Sequence, residues 1–437
     1  MISTVLISAL TCLLIILSVL FFPEIRVGKK KIGVYWIIAL IGALALLVSR
    51  RITFSALWAG LSAQTAVNPI KILVLFLSMT ALSVFLDEIG FFRYLAGAAI
   101  KVAGDRQTVL FYTLYGLVSV LTVFTSNDVI ILTFTPFICY FTRCAGIDPL
   151  PYLVSEFVAA NTWSMALIIG NPTNIYLGGS AGITFGEFLS VMALPTLFAG
   201  LTSLVVLRLL FHRQLAEPMD PVWTEEEKPD RVLLPIGLAH LLLCTALLAV
   251  GSYIGVEMWA VSLGFAVSLF LFVSVVYLIR RKPPRVIART ARRLPWPLVP
   301  FVLSMFTLVL SLSAYGVTEK IGAFLGDRAV IFSYGGLSCL AANLVNNIPM
   351  SVLFSSVLSD GALTGTNLTA GIYSTVIGSN LGAFLTPLGA LAGIMWASML
   401  NRAGVRFSFK KFTLYGVILA IPSLAAALLG LYLRLGV

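Results

Sequence analysis

Apolar runs of about 18 to 23 residues recur from one end of this chain to the other, and that recurrence limits the fold more than any single motif. A hydrocarbon core of about 30 Å takes about 20 helical residues to cross, and its backbone groups must be satisfied internally. The runs are therefore read as transmembrane helices, ten in all, with almost nothing left for a soluble domain. Composition agrees: 59% of the 437 residues are hydrophobic and 11% charged, against about 25% charged in an ordinary soluble domain. The first run, Ile2 to Phe22, has no basic leader and no small-residue cleavage site, so it reads as a retained span.

The net charge of +11 does not point to nucleic acid, because the basic residues sit in short loops between apolar runs. The loop Arg280 to Arg293 carries seven basic and no acidic residues and is expected in the cytoplasm. Counting from it, residues 212–231 form a cytoplasmic linker, and Arg26, Lys29, Lys30 and Lys31 mark another inner loop. Both termini then fall outside. Arg50 and Arg51 fall on the outer side against the rule, and Asp87 to Ala103 reads as an amphipathic helix on the inner face. Five cysteines lie mostly within apolar runs with no C-x-x-C pair and read as small core residues.

Two interruptions recur in each half. Ser126-Asn127-Asp128 divides the segment Gln107 to Arg143, which suits a re-entrant hairpin, and Gly170-Asn171-Pro172-Thr173-Asn174 breaks the span Pro151 to Leu177, since proline removes a donor and crowds the preceding turn. Later, Asn346-Asn347 and Leu385-Thr386-Pro387 take the same places. Asn127 and Asn161 are 34 positions apart, as are Asn346 and Asn380, with an offset of 219. Phe185-Gly-Glu-Phe188 is echoed by Phe409-Lys-Lys-Phe412, and Asp87-Glu-Ile-Gly90 by Ser313-Ala-Tyr-Gly316. The expected fold is an all-α membrane protein of two inverted repeats, 1–211 and 232–437, joined by the linker. Each repeat has about five transmembrane helices plus a re-entrant hairpin and a broken helix.

Asp128 is the one carboxylate this topology places near the membrane centre, where a charge is tolerated only if paired, protonated or hydrated. It is the expected proton carrier; the competing role is an N-cap at the hairpin tip. Ser126, Asn127, Asn346 and Asn347 offer neutral donors and acceptors at the tips, with Pro349 suited to a helical first turn. Asn171, Thr173 and Asn174 in the first break, and Thr386 and Gly389 in the second, bring side-chain oxygens and half-helix ends together, with Asn161 and Asn380 on the helices leading into them. Glu156 is a further proton-coupling candidate, but its place near the cytoplasmic end equally suits an interfacial charge. His212 and His240 read as solvated or interfacial. There is no P-loop, no metal-spaced His/Cys cluster and no nucleophile elbow, so nothing argues for ATP hydrolysis, a cofactor or covalent catalysis.

The stretches Phe85-Leu-Asp-Glu-Ile-Gly-Phe-Phe92, Ser126-Asn-Asp128 with Thr135-Pro136, Asn346-Asn-Ile-Pro349, and Ile377-Gly-Ser-Asn-Leu-Gly382 followed by Thr386-Pro-Leu-Gly389 resemble the ArsB arsenite and antimonite efflux family. That family lies within the wider ion-transporter superfamily, beside the divalent-anion/sodium symporters and NhaD-type sodium/proton antiporters. The chain departs from the ArsB pattern at Val129, where a small residue is usual, and at Asn380, where an acidic one is. The resemblance implies a scaffold and a moving, elevator-like transport domain, often in a homodimer, with hairpin tips and broken helices forming the site; it leaves open an ATPase partner subunit. It implies proton-coupled export of arsenite or antimonite, with sodium- or proton-coupled transport of a small anion such as a dicarboxylate, or sodium/proton antiport, as the alternative. The related anion carriers have Ser-Asn-Thr at both tips, whereas this chain has Ser-Asn-Asp and Val-Asn-Asn, which favours the proton.

Overall fold

The computed structural model describes residues 2–22, 24–27, 30–63, 68–220, 228–251, 255–361 and 363–436. Lys29 and positions 221–227 of the linker lie outside the described residues. The first ten helices are α1 (Ile2–Phe21), α2 (Val34–Val48), α3 (Phe54–Ser62), α4 (Pro69–Glu88), α5 (Phe91–Ala103), α6 (Gln107–Phe124), α7 (Asn127–Cys144), α8 (Leu150–Trp163), α9 (Pro172–Ser180) and α10 (Phe185–Leu210). The next ten are α11 (Leu233–Gly251), α12 (Met258–Ile279), α13 (Arg285–Arg293), α14 (Leu298–Ala314), α15 (Val317–Leu325), α16 (Val330–Val345), α17 (Asn347–Asp360), α18 (Gly365–Gly382), α19 (Leu391–Arg402) and α20 (Phe409–Leu435). The one exception to the helical expectation among the described residues is a two-stranded antiparallel ribbon, β1 (Glu24–Val27) with β2 (Lys30–Gly33), in the basic loop after α1.

The second ten helices retrace the first in order, and the sequence echoes mark equivalent local structures. Phe185 and Phe409 open α10 and α20, each after a hydroxyl N-cap: Thr184 makes a reciprocal capping box with Glu187, and Ser408 accepts from the Lys411 N–H. Gly90 and Gly316 both adopt left-handed backbone, at φ 83° and 67°, and turn α4 into α5 and α14 into α15. Packing is reciprocal: α2 lies on α14 and α4 on α12; α7 lies on α19 and α9 on α17; α8 meets α18 and α10 meets α20. Such exchanged pairs are what a two-fold relation between like halves produces. Five crossings per half, α1, α2, α4, α8 with α9, and α10, then α11, α12, α14, α18 with α19, and α20, make the second half run opposite to the first.

Four ion pairs fix which helix ends share a membrane face. Arg280 holds Asp230, and Arg293 holds Asp87 at 2.6 Å and Glu88 at 2.8 Å, so the linker end, the loop after α12 and the end of α4 lie together. Lys71 meets Glu257 at 2.7 Å on the opposite face. The hydrogen bonds from Arg280 draw the Asp230 carboxyl far below the usual range. The clasp is therefore present above the unfolded value of about 3.9 and is lost only as pH falls through the lower folded value. By the positive-inside rule the Asp230–Arg280 face is the one expected in the cytoplasm. Impermeant thiol labelling of single cysteines on a cysteine-free background should reach 280–293 and 401–411 only from the cytoplasm; labelling of 280–293 from outside intact cells would overturn the orientation.

Several expectations are corrected. The segment 280–293 is not a plain loop, because 285–293 forms α13 with Val286 and Thr290 turned inward, and α3, too short and weakly amphipathic to signal a span, is its counterpart. Asp87 belongs to the end of α4, since the left-handed Gly90 delays α5 to Phe91. His240 is not solvated: half-buried, it contacts the Ile236 carbonyl and the Ser268 hydroxyl and packs on Phe265 and Phe272. Cys139, Cys244 and Cys339 are buried as expected, whereas Cys144 is exposed.

Candidate functional site

Two hairpin tips and two helix breaks meet in the half built from α6–α10 and α16–α20. At the first tip α6 ends at Phe124, Thr125 and Ser126 are extended, and α7 starts at Asn127, so the first-turn N–H groups of α7 have no helical carbonyl to serve them. Asn127 Oδ1 accepts the Asp128 N–H at 2.9 Å, and its Nδ2 donates to Asn161 Oδ1 at 3.2 Å. Asp128 lies in that first turn, where the helix dipole favours a negative charge. None of the ion pairs among the described residues reaches it, and Tyr35 of α2 lies within its electrostatic range. The Ser126 hydroxyl is buried without a partner.

The second tip is held differently. Asn346 takes φ +72° and ψ 153°, a region almost confined to glycine and therefore strained for Asn, and donates to the Leu388 carbonyl at 2.9 Å; the Asn347 N–H reaches the Gly389 carbonyl at 3.0 Å. Thr386 donates to Asn343 Oδ1 at 2.7 Å, and Asn343 Nδ2 serves the Cys339 and Gly382 carbonyls. A Cβ on Gly389 would come within 2.7 Å of the Gly382 carbonyl and 2.9 Å of Asn343 Oδ1, so glycine is required for the break to fold back against the end of α18 and Asn343. Asn347 Oδ1 is buried and unpartnered.

The first break opens earlier than its proline. α8 ends at Trp163, residues 164–171 leave the helix with a short 3-10 turn over Ile168–Gly170, and Pro172 starts α9 with Asn171 as its N-cap. The freed groups are met by side chains: Asn174 Nδ2 serves the Ser164 and Leu167 carbonyls, and Asn171 Oδ1 accepts from the Thr173 N–H and hydroxyl. Asn380 of α18 crosses into this break. Its Oδ1 accepts from Ser164 at 3.1 Å and Asn171 at 2.9 Å, and its Nδ2 donates to Asn174 Oδ1 at 2.8 Å. Since the Ser164 hydroxyl also lies 2.9 Å from the Asn161 carbonyl and shares its one proton between the two acceptors, a buried chain runs Asn127, Asn161, Ser164, Asn380, Asn171 and Asn174.

The matched spacing of Asn127–Asn161 and Asn346–Asn380 therefore does not carry over into matched bonds, because Asn380 serves the first break rather than the second tip. Glu156 is 1% exposed, with Thr135 3.0 and 3.1 Å from its two oxygens and the Trp396 N–H at 3.3 Å, so it is not a snorkelled side chain. Thr135 entered the sequence reading only as part of the Thr135-Pro136 motif, and Asn343, Ser164, Trp396 and Tyr35 were not singled out there. Of these only Asn343 left a signal, one turn before Asn346 in an apolar helix. Asp87 and Glu156 are the only charged residues among the buried side chains described. The tips and breaks thus present amides, hydroxyls, helix ends and the Asp128 carboxylate, with no buried lysine or arginine among the described residues, and Glu156 stands apart from them.

The profile of the citrate transporter family, CitMHS, matches residues 12–371, most of the chain. The chain belongs to the citrate transporter family. This member is 28% identical over 373 residues to the arsenical pump membrane protein of Escherichia coli K12, covering 82% of this chain and 85% of that one, and 28% identical over 376 residues to the protein of the same name from Yersinia enterocolitica, covering 83% and 86%. It is 24% identical over 378 residues to an uncharacterized transporter of Mycobacterium tuberculosis. Among solved structures, its fold is similar to the YdaH transporter of Alcanivorax borkumensis at a TM-score of 0.58 and 13% identity, with 99% and 97% of the two chains covered. The family member is a multi-pass membrane transporter.

Proposed function

We propose that this transporter exports arsenite or antimonite as the neutral trihydroxide in exchange for protons, with Asp128 carrying the proton. The observation that supports this reading most is the charge inventory of the site: a carboxylate at one hairpin tip among neutral amides and hydroxyls, with no buried lysine or arginine beside them among the described residues. A multiply charged anion such as citrate would have to leave water with only helix ends to receive it, which costs several kcal/mol. A neutral solute with three hydroxyls can exchange hydrogen bonds with Asn127, Asn161, Asn171, Thr173, Asn174, Asn346, Asn347, Asn380 and Thr386 without that penalty. The described residues hold no group of three His, Cys, Asp or Glu that would trap a soft metalloid by ligation, and hydrogen bonding permits release. The arsenical pump relatives favour the same cargo.

The test is a flux screen in proteoliposomes with arsenite, antimonite, dicarboxylates, sulfate and sodium, each with and without a pH gradient. Arsenite or antimonite should move and dissipate the gradient. A dicarboxylate that moves with sodium while arsenite stays put would replace this reading by the anion carrier.

A further inference from the structure

Glu156 lies on the α8 helix away from the hairpin tip, and the role proposed for Asp128 does not use it. Its surroundings suit a carboxyl group in either protonation state. The Trp396 indole N–H can only donate, so Oε2 always accepts there. The Thr135 hydroxyl lies within 3.1 Å of both oxygens, so it donates to the ionised form and accepts from the protonated one. In the second case Thr135 needs an acceptor of its own. Pro136 has no N–H, which leaves the Leu132 carbonyl without its helical donor, and that carbonyl is three residues before Thr135, within reach of a threonine hydroxyl.

A route leads outward from this group. Cys139, one turn beyond Thr135 on α7, lies within electrostatic range of Glu156 and also lines a cavity of about 360 Å³ with Thr142, Arg143 and Asp148. This cavity opens where Arg143 donates to the Ala403 carbonyl, beside the basic segment 401–411. The titratable groups that line this cavity are Cys139, Arg143, Asp148 and Arg406. On the opposite face the related cavity, about 580 Å³, is lined by Ser355, Ser359 and Tyr373. There Ser355, eight residues into α17 as Thr135 is into α7, bonds Tyr176, and Thr375 of α18 lies 219 positions after Glu156. The hydroxyl and the aromatic donor are repeated; the carboxyl is not.

We infer that Glu156 is a second proton-binding site, separate from Asp128, that exchanges protons with the basic face of the membrane through the cavity at Cys139. In a proton-driven exporter it is the inner leg of the proton's path; only that direction rests on the function proposed above. The inventory balances at the carboxyl, since each proton it binds comes from the basic face through this cavity and each proton it releases returns there.

Infrared difference spectra of the purified protein in lipid, stepped in pH with no solute present, test the site itself. A carboxyl C=O band should vanish in Glu156→Gln and shift in Thr135→Val, which keeps the carboxyl and serves should the first variant fold poorly. With Cys139 as the sole cysteine, an impermeant thiol reagent should shift the band from the basic side only. In liposomes Glu156→Gln should keep solute counterflow within about twofold and lose gradient-driven flux by about tenfold or more. A carboxyl band unchanged by Glu156→Gln, labelling equal from both sides, or unaltered gradient-driven flux would overturn the inference. If the wild-type protein moves neither arsenite nor antimonite, the proposed cargo fails while the infrared result still decides on Glu156.

Discussion

Asp128→Asn should reconstitute and bind solute but lose proton-driven flux by about 100-fold or more, since Asn keeps the shape and an N-terminal capping oxygen but cannot titrate. The hairpin tip does not need the charge: Asn127 and not Asp128 supplies the side-chain acceptor for the first free N–H of α7. Asn161→Ala removes the partner of Asn127, and Thr386→Ala the donor to Asn343, so each should weaken solute binding by about 1–2 kcal/mol with coupling retained. Equilibrium binding, counterflow and gradient-driven uptake in the same liposomes separate the two outcomes. If Asp128→Asn retains pH-dependent flux near the wild-type level, Asp128 is a cap and the proton travels elsewhere.

Asn380→Leu should be the most damaging neutral change in the central chain. It leaves the Asn171 amide and the Asn174 carbonyl oxygen buried without partners and takes one acceptor from Ser164. At about 1–3 kcal/mol for an orphaned buried group, and about 1–2 for an interhelical hydrogen bond inside a membrane, the loss is about 2–5 kcal/mol. Asn380→Asp keeps both acceptor bonds and, in its protonated form, donates to one of the two acceptors that Nδ2 serves, Asn174 Oδ1 and the Val376 carbonyl, so it should be milder. Detergent-solubilised protein followed by fluorescence-detected size exclusion across a temperature series should show Asn380→Leu unfolding several degrees below Asn380→Asp, and both below wild type. Equal melting for all three would mean that the break between α8 and α9 does not depend on α18.

Close helix contact in this region is equally unforgiving. A Cβ on Gly378 would lie 2.0 Å from Ser338 Oγ and 2.3 Å from the Gly335 carbonyl, and Gly382, four residues on, meets α16 in the same way. This small-xxx-small spacing lets α18 and α16 approach closely, and through that approach α18 can carry Asn380 to the first break.

What was legible in the sequence is local. The spans follow from apolar length, the hairpins from Asn-Asp and Asn-Asn placed midway along apolar segments, and the second half's likeness to the first from Gly90 and Gly316 or Phe185 and Phe409 recurring at equivalent turns and caps. The positive loops and the ion pairs agree on sidedness because both are properties of helix ends. Partner choice was not legible, since hydropathy gives a residue's depth in the membrane but not the neighbour its side chain meets. Glu156 looked interfacial because it lies a few residues from a loop; Trp396, 240 positions away, and Thr135 on α7 make it a buried, hydrogen-bonded group. Asn380 matched Asn161 in spacing, yet it bonds the other repeat's break, because α8 and α18 face each other across the two-fold relation and only packing could bring them there. The sequence by itself determined the spans, hairpins, breaks and the repeat; the tertiary structure decided which of the polar residues found a partner.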